Sequence, residues 1–265
     1  MVIESIKLEN FRNYETLELT LDPGTNIFYG ENAQGKTNIL ESVYLCGTTK
    51  SHKGSKDREM IRFDQEEAHI RMKLDRDGSS YSIDMHLKKN RPKGIAINGV
   101  PIRKAGELLG LGNFVFFSPE DLNIIKSGPG ERRRFMDLEL CQLSKVYLFQ
   151  LSNYNKILNQ RNKLLKEITF RPEYLDTLDV WDRQLVQYGE RVIREREKFV
   201  DRLNEIIGGI HQRLSGGRET LVIHYEKNVE IGDFEQKLKN SRERDLKLRT
   251  TQNGPHRDDL CFDIG

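Results

Sequence analysis

Residues 30–37 read Gly30-Glu31-Asn32-Ala33-Gln34-Gly35-Lys36-Thr37, an instance of G-x-x-x-x-G-K-[ST]. Its flanks decide what that spacing means. Asn26-Ile27-Phe28-Tyr29 in front reads as a short strand, and residues 35–46 behind read as a helix with Ile39, Leu40, Val43 and Tyr44 on one face. In that order the glycines allow the turn, while the loop amides and the helix N-terminus converge on an anion. Lys36 then reaches the β- and γ-phosphates of a nucleotide and the Thr37 hydroxyl ligates a metal ion, which makes ATP and Mg²⁺ the expected cofactors. The fold class that follows is α/β, organised around a P-loop ATPase lobe.

Upstream, Ile3, Ile6, Leu8 and Phe11, then Leu17, Leu19 and Leu21, alternate with polar residues as strands do, and Asp22-Pro23-Gly24 closes them with a turn. Downstream, Ile70, Met72 and Leu74 face Tyr81, Ile83, Met85 and Leu87 across Asp77-Gly78, a hairpin pattern that predicts an antiparallel β-subdomain. Asn98-Gly99 marks another turn, and Phe114-Val115-Phe116-Phe117 reads as a buried strand. After Gly128-Pro129-Gly130 the period lengthens. Leu140, Leu143, Tyr147, Leu151, Tyr154 and Leu158 recur at three and four residues, as do Leu178, Trp181, Leu185, Tyr188 and Val192. Two long antiparallel helices are expected there. Strand character returns at 220–227 and 260–264. The expected domains are a P-loop lobe with its β-subdomain over 1–128, an inserted long-helix lobe over 129–215, and return strands over 216–265.

Composition narrows the function classes. The 265 residues include 43 Lys and Arg against 41 Asp and Glu, so an anionic partner must be met by local patches and not by a general field. No run of about 18 apolar residues is present, and the opening MVIESIKLEN has no secretory pattern, which predicts a cytoplasmic chain without membrane contact. Cys46, Cys141 and Cys261 show no Cys-x-x-Cys spacing, so they suggest neither disulfides nor a zinc site. From His86 to Lys104 six Lys or Arg occur with no acid, and Lys88, Lys89, Arg91 and Lys93 are the candidate contacts to DNA phosphates. A solvated surface is the alternative there, and it is preferred for the mixed charges of 237–249. Arg132, Arg133 and Arg134 open a helix and read as solvated or DNA-facing.

Hydrolysis also needs a strand ending in acids, and no such strand is found. Phe114–Phe117 is followed by Ser118-Pro119-Glu120-Asp121, where proline stops the strand before the acids. Leu214-Ser215-Gly216-Gly217-Arg218 is similar to the LSGGQ motif of transport ATPases, yet Thr220-Leu221-Val222-Ile223 follows at once, so it reads as a glycine turn into a strand. A transport ATPase and a P-loop kinase are the weaker readings for the same reasons.

These segments together resemble the RecF family of SMC-like ABC ATPases. The resemblance is carried by Leu8-Glu9-Asn10-Phe11-Arg12-Asn13-Tyr14, the loop, Ser51-His52-Lys53, Lys56-Asp57-Arg58-Glu59, residues 117–122, Arg132-Arg133-Arg134-Phe135 and Gly254-Pro255-His256-Arg257-Asp258-Asp259. It implies an ABC-type, SMC-like lobe that binds ATP, dimerises around it, recognises DNA at gaps or junctions, and helps RecO and RecR load RecA. It implies further that Gly30 to Thr37 are the Walker A loop and that Arg12 faces the nucleotide. Residues 117–122 take the place of the Q-loop without supplying a glutamine. His52 and Asp57 fall where an adenine-contacting loop is plausible, with solvated loop residues as the alternative. Family members continue past the point where this sequence stops, into the acidic strand and the true signature. The expectation is therefore a C-terminally truncated member that binds ATP, has no catalytic residue of its own and is deficient in hydrolysis, or alternatively an ATP-switched DNA-binding module.

Overall fold

The computed structural model describes residues 1–265, which divide into two compact units, residues 1–120 and 121–265. The first unit holds β1 (Val2–Phe11), β2 (Tyr14–Thr20), α1 (Lys36–Thr48), α2 (Asp57–Met60), β3 (Glu67–Arg76), β4 (Ser79–Lys88), β5 (Gly94–Ile97) and β6 (Val100–Pro101). The six strands form one sheet in the order β2-β1-β3-β4-β5-β6, and every neighbouring pair is antiparallel. Two hairpins turn where the sequence predicts. Asp77 and Gly78 have φ of 53° and 79°, and Asn98 and Gly99 have 51° and 76°. Two successive left-handed residues match the right-handed twist of the flanking strands.

Alternation places Ile70, Met72 and Leu74 of β3 with Ile83, Met85 and Leu87 of β4 on one buried face, in a core shared with Ile6, Leu8, Phe11, Ile39 and Leu45. That face seats α1. The buried side of α1 consists of Ile39, Glu41, Ser42, Leu45 and Cys46, while Leu40 points outward at 44% exposure. The periodicity groups Leu40 with Ile39, Val43 and Tyr44 on one face; a buried glutamate takes part of the inner face instead, because it has a cationic partner, described below.

Two expected strands do not form. Residues 25–29 and 113–117 have no regular secondary structure and join no ladder. Burial still alternates: Phe28 and Phe114 pack on the core, whereas Ile27, Tyr29, Val115 and Phe117 are 79–91% exposed. An apolar run marks a candidate strand, but strand status requires a neighbour to accept its hydrogen bonds, which the run itself cannot supply.

The second unit contains α3 (Asn123–Lys126), α4 (Pro129–Leu143), α5 (Lys145–Ile168), α6 (Leu178–Leu214), β7 (Leu221–Glu226), α7 (Phe234–Asn240), α8 (Arg242–Leu248) and β8 (Asp259–Ile264). The first of the two expected long helices is interrupted at Ser144, whose side chain caps α5 by accepting from the Tyr147 amide at 3.1 Å. Helices α5 and α6 pack antiparallel, and their contacts descend in steps of seven residues. Tyr147 meets Arg196, Tyr154 lies over Gly189, and Arg161 meets Asp182. A Cβ at Gly189 would come within 2.6 Å of the Phe234 ring and 3.0 Å of Tyr154, so the close approach of α5 and α7 to α6 requires glycine there. The glycine turn read at 215–217 is present, with Gly216 and Gly217 at φ of 67° and 76°, and it leads into the antiparallel β7–β8 pair.

Charge is buried between these helices. Arg161, fully buried, bonds Asp182, Asp245 and the Thr251 hydroxyl at 2.6–2.8 Å. Arg196, 2% exposed, bonds Asp137, Asp258 and the Pro255 carbonyl at 2.7–3.0 Å, and Tyr147 and Tyr225 complete this cluster by donating to Asp137 and Asp258.

Candidate functional site

The loop of residues 30–37 enters α1 through a left-handed Gly35, φ 96°. A Cβ there would lie 2.5 Å from Asn13 Oδ1, so the position needs glycine for its dihedral and for its packing. The intrahelical bonding of α1 opens with the Asn38 amide donating to the Gly35 carbonyl at 2.8 Å. Amides ahead of it therefore stand outside the helix ladder, at the positive end of the helix dipole. Lys36 folds back over the loop, and its Nζ donates to the carbonyls of Gly30 at 2.7 Å and Glu31 at 2.5 Å. Thr37 follows in the first turn, exposed. Glu31, Asn32, Ala33 and Gln34 are exposed, and Ala33 is also left-handed at φ 66°.

Asn13, in the β1–β2 turn, clamps this loop. Its Nδ2 donates to the Gln34 carbonyl at 3.1 Å and its Oδ1 accepts from Asn38 Nδ2 at 2.8 Å. The sequence reading missed Asn13 as a site residue; its one signal was its place in a tight turn beside Arg12. Arg12, its neighbour in the turn, holds a buried carboxylate. Its Nε and Nη2 grip the Glu41 carboxylate at 2.8 Å each, while the remaining donors reach the Ser55 hydroxyl and the Glu59 carbonyl, both at 2.8 Å. Ser51 adds a 2.6 Å bond to Glu41. Burial alone would raise the Glu41 carboxyl pKa, but the bonds from Arg12 and Ser51 and the Arg12 charge outweigh it and hold the group below the usual carboxylate range. In this structure Arg12 braces the turn that carries Asn13; the resemblance expects it to face the nucleotide, beside the loop that Asn13 clamps.

His52 lies in an aromatic nest, its ring 4.0 Å from Phe116 and 6.3 Å from Tyr44 between centroids. Asp57 pairs with Lys93 at 2.8 Å. The same Lys93 ammonium donates to the Thr49 carbonyl at 2.8 Å, and its side chain is only 16% exposed. The basic stretch is thus smaller than its sequence. Lys93 is consumed inside the fold, whereas Lys89, in a surface pair with Glu66 at 2.9 Å, and Arg91 are exposed and Lys88 is half-buried. The helix-opening arginines are also spoken for. Arg132 holds Asp259 in a bidentate pair and Arg133 donates to the Asp258 carbonyl, so only Arg134 of the three is largely exposed.

A glycine loop braced by a hairpin turn, opening a helix and crossed by its own lysine, defines the chain as a P-loop ATPase domain, and a family described as AAA ATPase domain matches residues 1–177. Its relatives are more particular. A protein of Lachnoclostridium phytofermentans named DNA replication and repair protein RecF is 61% identical over 99% of this chain and 73% of its own length. The solved structure of the recombination mediator protein RecF with ATP, in the RecFOR pathway, matches with a TM-score of 0.94 at 35% identity, covering 99% of this chain and 73% of that one. The chain belongs to the RecF family. An SMC head bound to the C-terminal winged-helix domain of ScpA, 14% identical with a TM-score of 0.50 over all of this chain and 67% of that one, shares the fold alone. No helix is long and apolar enough to cross a membrane.

Proposed function

We propose that the chain binds ATP with Mg²⁺ at residues 30–37 and serves as the nucleotide-binding part of a RecF-type DNA repair protein. The observation that carries this is the loop itself: left-handed Gly35 wedged against Asn13, with the Lys36 ammonium lying across the loop mouth on the Gly30 and Glu31 carbonyls. The similarity to a RecF structure solved with ATP supports it. Loop amides and the α1 N-terminus supply N–H donors to the phosphates, Lys36 supplies the side-chain cation, and the exposed Thr37 hydroxyl is a hard oxygen ligand suited to Mg²⁺. Bound ATP contributes the triphosphate whose charge these groups are arranged to meet. His52, stacked on Phe116 beside Tyr44, offers an aromatic ring against which a base can stack.

The finer reading follows the family. The protein binds DNA at gaps or junctions in an ATP-dependent way, forms an ATP-dependent homodimer, and acts with RecO and RecR in loading RecA. Of the basic stretch, Lys88, Lys89 and Arg91 are the cations that face outward for phosphate contact. The test is a titration of ATP and of adenosine against the parent and Lys36→Ala, with and without DNA. Loss of a charge-assisted contact worth about 1.5–3 kcal/mol lowers ATP affinity about tenfold to a hundredfold and leaves adenosine nearly unchanged. Equal ATP affinity in Lys36→Ala would remove the loop as the site. ATP that alters DNA affinity without phosphate release would identify a switch in place of an engine.

A further inference from the structure

On the sheet face opposite α1, the β3–β4 ladder sets His69 directly across from His86, with Glu67 two residues before His69 on the same side. The two imidazoles stack, 3.9 Å between centroids and 27° between planes. Glu67 bridges them at their edges, one carboxylate oxygen 2.7 Å from His86 Nε2 and the other 3.9 Å from His69 Nε2. All three ligand atoms lie within 4.8 Å of one another. Tetrahedral coordination with bonds of about 2.0–2.1 Å holds its donors about 3.3 Å apart, so closure by about 1.5 Å at most completes the set. Exposed side chains reach that by small χ rotations.

We propose that Glu67, His69 and His86 bind one divalent transition-metal ion of the zinc class. Two imidazoles and one carboxylate form a borderline donor set that suits Zn²⁺ and not the hard, oxygen-seeking Mg²⁺ expected at the loop. The neighbouring strands leave room for it. Across from His69 in β1 stands Glu9, and across from His86 in β5 stands Gly94, whose lack of a side chain opens a depression of about 290 Å³ beside the rings. A fourth coordination position therefore remains open to water. The ion ties β3 to β4 at the end of the hairpin remote from the Asp77-Gly78 turn.

The test is a titration of ZnCl₂ into the whole chain against a chromophoric zinc indicator, in excess Mg²⁺, for the parent, His69→Ala, His86→Ala, the double variant and Glu67→Gln. Cys261→Ser is the background, because Cys261 is the one thiol that is not buried. The expected result is a single equivalent bound, with affinity lowered about tenfold or more by either histidine change and less by Glu67→Gln. Zn²⁺ should also raise the melting temperature of the parent and not of the double variant. Both histidines lie on the outer face, and circular dichroism checks that each variant folds. Absence of stoichiometric binding by the parent, retention of it by the double variant, or its loss in Cys261→Ser would each overturn the assignment.

Discussion

Glu41→Gln probes the brace behind the phosphate loop. Glu41 is fully buried and accepts two bonds from Arg12 and one from Ser51. Gln preserves the volume and one acceptor, but its NH₂ then meets a guanidinium N–H, donor against donor, and the countercharge is gone. Breaking a buried pair on one side costs about 3–5 kcal/mol. Arg12 keeps its bonds to Ser55 and Glu59, and its side chain is 19% exposed, so water recovers part of that cost. We expect about 2–3 kcal/mol, or a fall in melting temperature of about 4–12 °C for a chain of this size. The pH dependence has a definite sign. A folded carboxyl pKa below the unfolded value of about 4.3 contributes stability that is complete above that pH and is lost as the pH falls through the folded value. The gap between parent and variant should thus be full at pH 7 and begin to narrow as the pH falls below the unfolded value of about 4.3. Calorimetric melts across that range decide it. A difference under about 1 °C at pH 7, or a gap that widens on acidification, would refute the account of Glu41 as an ionised anchor.

In DNA titrations, Lys88→Gln with Arg91→Gln should flatten the dependence of log K on log salt by about 0.9 per lost phosphate contact, whereas Lys93→Gln should leave the slope alone and lower thermal stability by stranding Asp57. A slope moved by Lys93 alone would reverse that assignment. Arg161→Ala strips Asp245 of its buried cation and should cost about 3–5 kcal/mol in urea unfolding; a loss below about 1 kcal/mol would show that the cluster is dispensable. Burial pushes the His256 pKa down to about 4, and its Nδ1 lies 2.6 Å from the Tyr154 hydroxyl. Between about pH 6.5 and that value the unfolded chain takes up a proton that the folded chain refuses, so up to about 3 kcal/mol of stability disappears on acidification. An NMR titration of the His256 ring with a midpoint at or above pH 6 would exclude this.

The loop, its helix and the hairpins were legible because their signals are local. G-x-x-x-x-G-K-T fixes the entry into α1, and Asp77-Gly78 and Asn98-Gly99 fix the turns. Partners brought from a distance were not legible. Nothing near Glu41 indicates that Arg12, 29 residues earlier, will neutralise it, and nothing in residues 88–93 indicates that Lys93 will turn back to Asp57, 36 residues away. One-signed charge in a sequence therefore overstated the charge on the surface. Ser144 divides a helical pattern that periodicity reads as continuous, since the apolar spacing survives the cap. The Glu67, His69 and His86 cluster was within reach: a two-residue turn at Asp77-Gly78 sets residue 69 opposite residue 86, although no linear motif joins them.

The heptad steps between α5 and α6 work as a key in a slotted rail. Two leucine-faced helices slide past each other by one turn, about 5.4 Å, at little cost, because one apolar contact replaces another. Here the rail is notched. Shifted by a turn, Arg161 would lose its buried bond to Asp182, and Tyr154 would meet a full side chain in place of the hollow at Gly189. Each misfit costs several kilocalories per mole, so only one setting of a 37-residue helix is tolerated. A load applied at the tip of α6 would then be transmitted along the rod and not dissipated as slip.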